Sequence, residues 1–300
     1  MNDGRPELGV LLLHLVVISL GIKYFRAPRK SRLPGRGWAG LAIIATAEVL
    51  LLRRTPWVST FFTPIVWTGY VLLADGLVWS LEGRSRLGST PWKFLSLAFW
   101  SVPLWLIFEA YNLRLANWKY VGLPDSLVVS SIGYVWSFAT IWPAILETAD
   151  LLRALGAGSR LAAPRPPFRP STRLALLVAG VLCLVLPVVV PVWLGQYLFG
   201  AVWLGFLLAL DPINYRWNGR SLLREVEAGQ AATLLSLLGA GLVCGILWEF
   251  WNYWAAARWV YVFPIMQEWK IFEMPLLGYL GFPPFALECF VMYEFLGTLN

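Results

Sequence analysis

Nine apolar segments, most of them about 17 to 25 residues long, limit what this chain can fold into. The segments cover residues 8–25, 38–52, 57–81, 93–113, 126–150, 173–191, 193–215, 230–254 and 272–296. A helix of about 20 residues crosses the roughly 30 Å hydrocarbon core of a bilayer and satisfies its own backbone hydrogen bonds. The pattern predicts an all-α, polytopic membrane helix bundle with about nine transmembrane helices.

Charged residues are scarce and unevenly distributed. Only 14% of the chain is charged, against about a quarter in soluble proteins, and its mean hydropathy is +0.65. Lys and Arg are concentrated in the loop from Lys23 to Arg36 and in other loops on the same side. Because basic loops are retained in the cytoplasm, we expect an inner or plasma membrane location with the N-terminus outside and the C-terminus inside. This topology accounts for the net charge of +7 without a nucleic acid partner.

The second half of the chain repeats features of the first half about 136 to 141 residues later. The matched residues are Trp57 with Trp193, Asp75 with Asp211, Glu109 and Asn112 with Glu249 and Asn252, Trp118 and Tyr120 with Trp259 and Tyr261, and Pro143 and Glu147 with Pro284 and Glu288. Four helices per copy give both copies the same orientation. The repeats are therefore predicted to be parallel and related by an axis along the membrane normal.

The repeat divides the chain into four parts. They are an N-terminal transmembrane anchor with its basic loop (1–37), a first four-helix repeat (38–152), a Pro- and Arg-rich cytoplasmic linker (153–172) and a second four-helix repeat (173–300). The prolines and arginines of the linker favour an extended segment against acidic headgroups. No soluble domain is expected.

The Glu-x-x-Asn pairs are the strongest local signal for chemistry. Glu109 precedes Asn112 and Glu249 precedes Asn252 by three residues, which places each pair on one helix face. We expect each Asn to orient its Glu by a hydrogen bond, and burial to favour the neutral acid that protonation of an alkene requires. The alternative is that these residues only hold helices together.

Glu147 and Glu288 are a second pair of candidate catalytic acids. Each is predicted to end the last helix of its repeat, one turn after Pro143 or Pro284, where a proline frees a backbone carbonyl. They should lie nearer the cytoplasm than the Glu-x-x-Asn pairs, in a second layer. The alternative is a helix-end carboxylate that reaches interfacial water or an arginine.

Tryptophan is unusually abundant, with 18 residues in the chain. Aromatic rings near a buried acid stabilise a carbocation without reacting with it, although aromatic belts at the membrane interface would also contain many tryptophans. The predicted substrate-binding residues are Trp118, Tyr120, Trp251, Tyr253, Trp259 and Tyr261.

Several kinds of chemistry lack the residues that they need. His14 is the only histidine, and the three cysteines, Cys183, Cys244 and Cys289, show no CxxC spacing. The sequence also lacks an Asp-rich magnesium motif and a nucleotide-binding loop. We therefore predict no metal site and no cofactor.

The end of the second repeat has a Trp- and Tyr-rich helix end followed by a segment that begins with proline. Residues 251–253, 259–261 and 275–282 together resemble the integral-membrane lycopene cyclases and, more loosely, the membrane carotenoid hydratases. The resemblance implies a duplicated helical membrane protein that acts on an isoprenoid. Leu277 and Gly278 occupy the two acidic positions of the Pro-x-Glu-Glu-Tyr-Leu-x-Phe motif of that family, so those glutamates do not carry over.

Three functions are compatible with these features. The first is an intramembrane cyclase, hydratase or isomerase that acts on a membrane lipid or an apolar isoprenoid. The second is a proton-coupled transporter or binding protein that uses the same carboxylates. The third is a structural or assembly subunit whose aromatic surface packs against another membrane protein or a second copy of the chain.

Overall fold

The computed structural model describes residues 5–158 and 164–299 of the chain. The described part is mostly helical and contains nine helical segments long and apolar enough to cross a membrane. This confirms the prediction of a polytopic membrane helix bundle and indicates an integral membrane protein. Five residues of the predicted linker, 159–163, lie outside the described residues.

Fourteen helices and four short strands form the described structure. The helices are α1 (Pro6–Arg26), α2 (Gly35–Leu52), α3 (Pro56–Thr60), α4 (Phe62–Glu82), α5 (Arg86–Ser89), α6 (Pro91–Leu115), α7 (Leu127–Ala139), α8 (Ile141–Ala154), α9 (Pro170–Val189), α10 (Val192–Gly195), α11 (Phe199–Arg216), α12 (Leu222–Glu227), α13 (Ala232–Trp254) and α14 (Phe282–Thr298). The strands are β1 (Trp118–Val121), β2 (Arg258–Tyr261), β3 (Lys270–Ile271) and β4 (Met274–Pro275). Short 3-10 helices, Gln196–Leu198 and Leu276–Gly281, precede α11 and α14.

The fifth and ninth spans are interrupted near the middle. Pro143 lies in the first turn of α8, and Pro284 lies in the first turn of α14. A backbone N–H in the first turn of a helix has no partner within that helix, so a proline there removes no hydrogen bond. Glu147 and Glu288 consequently lie in the middle of α8 and α14. The prediction that they end their helices was wrong, because each proline starts a helix there and does not precede the end of one.

Helices α8 and α14 form the centre of the bundle. Every residue from Ile141 to Leu151 and from Phe285 to Met292 is buried. The indole nitrogen of Trp142 donates a hydrogen bond to the backbone carbonyl of Cys289 at 2.8 Å, which joins the two helices directly. Helix α8 also packs against α4, α6 and α13, and α14 packs against α11 and α13. Helices α8 and α14 therefore hold the surrounding helices together.

Glycines allow close contact in two antiparallel helix pairs. A Cβ atom at Gly40 of α2 would lie 2.4 Å from the carbonyl oxygen of Gly69 in α4. A Cβ atom at Gly180 of α9 would lie 2.8 Å from the carbonyl oxygen of Gly205 in α11. Small residues at such crossings let helix backbones approach and pack, which is a main source of helix association in lipid.

A small antiparallel sheet links the ends of α6 and α13. Strands β1 and β2 pair so that Trp118 is opposite Tyr261 and Tyr120 is opposite Trp259. The all-α prediction missed these strands, since four residues give too short an alternation to be recognised. We refer to this end of the bundle as the sheet end, and to the opposite end, where α5 and α12 lie, as the basic end.

Replacement of Gly180 by leucine should destabilise the bundle, because the side chain would have to separate α9 from α11. Overpacking of this kind costs about 1 to 3 kcal/mol. The control is Gly21→Leu, since a Cβ atom at Gly21 meets no atom within 4 Å. Thermal unfolding in detergent should show a lower midpoint for Gly180→Leu only, and equal midpoints would contradict this packing.

Candidate intramembrane site

An aromatic cavity of about 400 Å³ lies at the sheet end, between the two halves of the chain. Its lining comes from α4, α6, α7, α8, α11, α13 and α14 together with strands β1, β2 and β4. Arg258 is the only charged residue in this lining. Six tryptophans line the cavity: Trp67, Trp105, Trp118, Trp203, Trp248 and Trp259. The cavity thus offers a large apolar volume with few polar atoms, as sites for apolar ligands do.

Glu109 of α6 receives three hydrogen bonds on a single oxygen. Its Oε1 atom accepts from the indole nitrogen of Trp105 at 2.8 Å, from the hydroxyl of Tyr120 at 2.5 Å and from the indole nitrogen of Trp118 at 3.3 Å. The side chain is only partly buried. Three donors around one oxygen are the arrangement that suits an ionised carboxylate.

Glu249 of α13 has a poorer set of donors in a more buried position. Its Oε1 atom accepts from the hydroxyl of Tyr261 at 2.9 Å, and that hydroxyl itself accepts from the indole nitrogen of Trp259 at 3.0 Å. The Oε2 atom has no partner, and the residue is fully buried. Gly245 lies one turn before Glu249, at the position that corresponds to Trp105 before Glu109. The ring of Phe282 packs against this glycine.

The two asparagines do not orient the glutamates. The side chain of Asn252 bonds both backbone groups of Trp259: its Nδ2 donates to the carbonyl at 2.9 Å and its Oδ1 accepts from the N–H at 3.0 Å. Asn112 makes the same two bonds to the backbone of Trp118, at 2.9 and 3.0 Å. The prediction was wrong here, because the amide instead satisfies backbone groups at the point where the chain leaves each helix.

Two tyrosines, and not the glutamates bonded to them, line the cavity. Tyr120 and Tyr261 belong to its lining, whereas Glu109 and Glu249 lie behind them. Burial raises the pKa of both phenols well above the usual value, and the neighbouring glutamate raises each further. Both hydroxyls therefore keep their protons at ordinary pH, and each donates its hydrogen to the neighbouring glutamate.

The structure divides the predicted substrate-binding residues into two groups. Trp118, Tyr120, Trp259 and Tyr261 line the cavity. Trp251 and Tyr253 are not in its lining: Trp251 donates to Glu48 at 2.9 Å, and Tyr253 packs against Phe272. Their helix positions point them away from the strands, toward α1, α2 and the loop before β4.

The second pair of predicted acids also lies away from the cavity. Glu288 is fully buried and accepts the backbone N–H of Phe206 at 2.9 Å. Glu147 is fully buried as well and faces Asp75 of α4. Neither residue is in the cavity lining, which agrees with the expectation of a separate layer.

Two cavity residues missed from the sequence could have been found. Trp67 and Trp203 both line the cavity and are 136 residues apart, the same spacing that separates Asp75 from Asp211. Trp105 and Trp248 are not matched at the offset of 140 that relates Glu109 to Glu249. Gly245 stands 140 residues after Trp105, and Phe108 stands 140 residues before Trp248. Their placement depends on how α6 and α13 pack.

Among the residues that the structure describes, no group of three or more His, Cys, Asp or Glu is placed to hold a metal ion. Comparison with protein-family models, with curated proteins and with solved structures found no match to this chain. The geometry of the cavity and of the groups behind it is therefore the basis for assigning a function to this protein.

Replacement of Asn252 by alanine should loosen strand β2, because the N–H and carbonyl of Trp259 would lose their partners. The expected cost is about 1 to 3 kcal/mol of stability. The control is Ser171→Ala at an exposed position near the start of α9. Thermal unfolding and tryptophan fluorescence should change in Asn252→Ala alone, and a variant that melts like the control would show that this backbone contact is dispensable.

Proposed function

We propose that this protein is an intramembrane enzyme that binds an apolar lipid of the isoprenoid class and carries out acid-base chemistry on it. The reaction class is cyclisation, hydration or isomerisation of a carbon-carbon double bond. The proposal rests on one observation above all: two tyrosines line the aromatic cavity, and the hydroxyl of each is hydrogen-bonded to a glutamate behind it. An apolar pocket with a few convergent polar groups is the usual form of a small-molecule site.

The two Glu-Tyr pairs take different roles in this proposal. Glu109, with three donors on one oxygen, is the ionised member. Glu249 is the neutral acid, since a fully buried carboxylate with one unpartnered oxygen would be costly. The asymmetry follows from two differences. Gly245 stands where Trp105 supplies a donor to Glu109, and the indole of Trp259 bonds Tyr261 whereas that of Trp118 bonds Glu109.

Trp259 directs the proton of Tyr261 into the cavity. When Glu249 is protonated, its hydrogen bond with Tyr261 is reversed: the acid O–H donates to the phenol oxygen, which also accepts from the indole of Trp259. Both lone pairs of the phenol are then occupied, and its own hydrogen is left to point at the bound lipid. Tyr261 thus contacts the substrate, and Glu249 replaces the proton that it gives up.

The proton balance of the step is simple. Protonation of a double bond leaves a carbocation on the substrate and one negative charge on the Glu249 and Tyr261 pair. Faces of the surrounding tryptophans and the negative charge of Glu109 stabilise the cation. Loss of a neighbouring proton to the Glu249 pair completes an isomerisation or cyclisation, and addition of water followed by loss of its proton completes a hydration.

The parallel repeat and the membrane orientation belong to the same proposal. Asp75 accepts the backbone N–H of Leu87 at 2.8 Å, and Asp211 accepts that of Leu223 at 2.9 Å, again 136 residues apart. These matched contacts, with those of the two asparagines, support an arrangement of one N-terminal helix followed by two repeats of four helices. In the cell membrane, the basic end would face the cytoplasm and the cavity would lie in the outer half.

Loss of the two acids should abolish turnover and leave lipid binding intact. Mass spectrometry of lipids that co-purify with wild type and with the Glu109→Gln, Glu249→Gln double variant should find an enriched isoprenoid in both, with the reacted form reduced at least 100-fold in the variant. Glu7→Gln, at an exposed position on α1, is the control. An unchanged product in the double variant would refute acid-base catalysis.

A bulky residue at the cavity should exclude the ligand. Gly200 lines the cavity, is exposed, and has no atom within 4 Å of a Cβ placed on it, so Gly200→Trp can project into the open space without disturbing the fold. The co-purified isoprenoid should be lost from this variant and retained in Gly21→Trp. Equal amounts of bound lipid in the two variants would show that the lipid binds elsewhere.

A further inference from the structure

A second pair of buried carboxyl groups lies away from the cavity, toward the basic end. Asp75 of α4 and Glu147 of α8 are both 0% exposed. Asp75 accepts hydrogen bonds from Nε of Arg36 at 2.5 Å and from the N–H of Leu87 at 2.8 Å. Glu147 has no hydrogen-bond donor on either of its oxygens and faces the carboxyl group of Asp75.

The arginines near this pair already have partners. Arg86 of α5 contacts Asp150 at 2.6 Å, Arg153 contacts the same carboxylate at 2.8 Å, and Arg36 is bonded to Asp75. Arg86 also faces Glu147, but within the described part of the chain no cation lies within ion-pair distance of Glu147. An ionised Glu147 would therefore be a buried charge without a counterion.

The remaining titratable groups around Glu147 do not supply a counterion either. Tyr70 of α4 and Cys244 of α13 are engaged with Thr148, at 2.6 and 3.3 Å. Tyr293 and Glu294 of α14 face Arg86. None of these groups carries a positive charge that could stabilise a second carboxylate beside Asp75.

We propose that Asp75 and Glu147 form a proton-binding site that holds a single proton between α4 and α8. Two carboxyl groups in contact in a dry environment share one proton, because both cannot be ionised together. The acid O–H on Glu147 then donates to a free lone pair of Asp75, which gives one of the two unpartnered Glu147 oxygens a hydrogen bond. The ligand of this site is a proton, and the site is separate from the aromatic cavity and from the Glu109 and Glu249 pairs.

The site is placed to affect the cavity. Trp67 lies on α4 eight residues before Asp75, about 12 Å along the helix, and Ala144 lies on α8 one turn before Glu147. Both Trp67 and Ala144 line the cavity. Loss of the proton would place two like charges between α4 and α8 and so push apart two helices that form the cavity wall.

Glu288 provides a matched control for this proposal. It occupies the corresponding position on α14, is 0% exposed and lies on the same central pair of helices. Its Oε1 atom accepts the N–H of Phe206, and no second carboxylate stands against it. A glutamine is nearly the same shape as glutamic acid and retains a donor for Asp75, so Glu147→Gln should fold.

Infrared spectroscopy of the purified full-length protein in detergent, with no lipid substrate added, tests the proposal. Wild type should show protonated-carboxyl absorption from its buried acids, and Glu147→Gln should lose one component of it that Glu288→Gln retains. This component should disappear as pH is raised. The proposal is overturned if Glu147→Gln keeps the whole wild-type absorption. Because no turnover is measured, the result does not depend on the proposed enzyme activity.

Thermal stability gives a second, independent reading. The native state holds a proton that an exposed Glu147 in the unfolded chain would have lost at neutral pH, so stability should fall as pH rises and the proton is released. The melting temperature of wild type and of Glu288→Gln should drop by several degrees between mildly acidic and alkaline pH, and that of Glu147→Gln should drop much less. The same drop in all three proteins would contradict the shared proton.

Discussion

Polar groups inside a bilayer need partners within the protein, and this requirement shapes most of the structure. Glu109 and Glu249 come near the ends of α6 and α13, and each accepts a hydrogen bond from a tyrosine of the strand that follows its own helix. Asn112 and Asn252 satisfy the backbone where each chain segment leaves its helix. The helix ends, the strands and the buried acids therefore depend on one another.

Pairing of the two strands turns these local contacts into a shared site. Because Trp118 lies opposite Tyr261 and Tyr120 opposite Trp259, the two Glu-Tyr pairs come together although they are about 141 residues apart in the chain. Helices α8 and α14 fill the centre of the bundle next to the cavity. The result is an aromatic space with polar groups on one wall and packed apolar helices around it.

The sequence was most informative about what repeats and least informative about what each repeated residue contacts. The existence of nine apolar spans is confirmed, and Trp118 and Tyr261 do lie at the cavity. The partners of Asn112 were predicted wrongly, because spacing within one helix reveals which residues share a face and says nothing about the chain that folds back onto it. Glu147 was misplaced for a related reason: a proline can end a helix or begin one.

The membrane environment, the number of spans and the residue types available for chemistry follow from the sequence, because hydropathy and composition are properties of each segment taken alone. Tertiary structure alone decided the rest: that Tyr120 and Tyr261 meet at one cavity, that Gly245 leaves Glu249 with fewer donors than Glu109, and that Glu147 faces another carboxyl group. The reason is physical. Hydrogen-bond geometry and packing select partners across long stretches of chain, and a pattern read along one helix contains no information about the neighbour that it will contact.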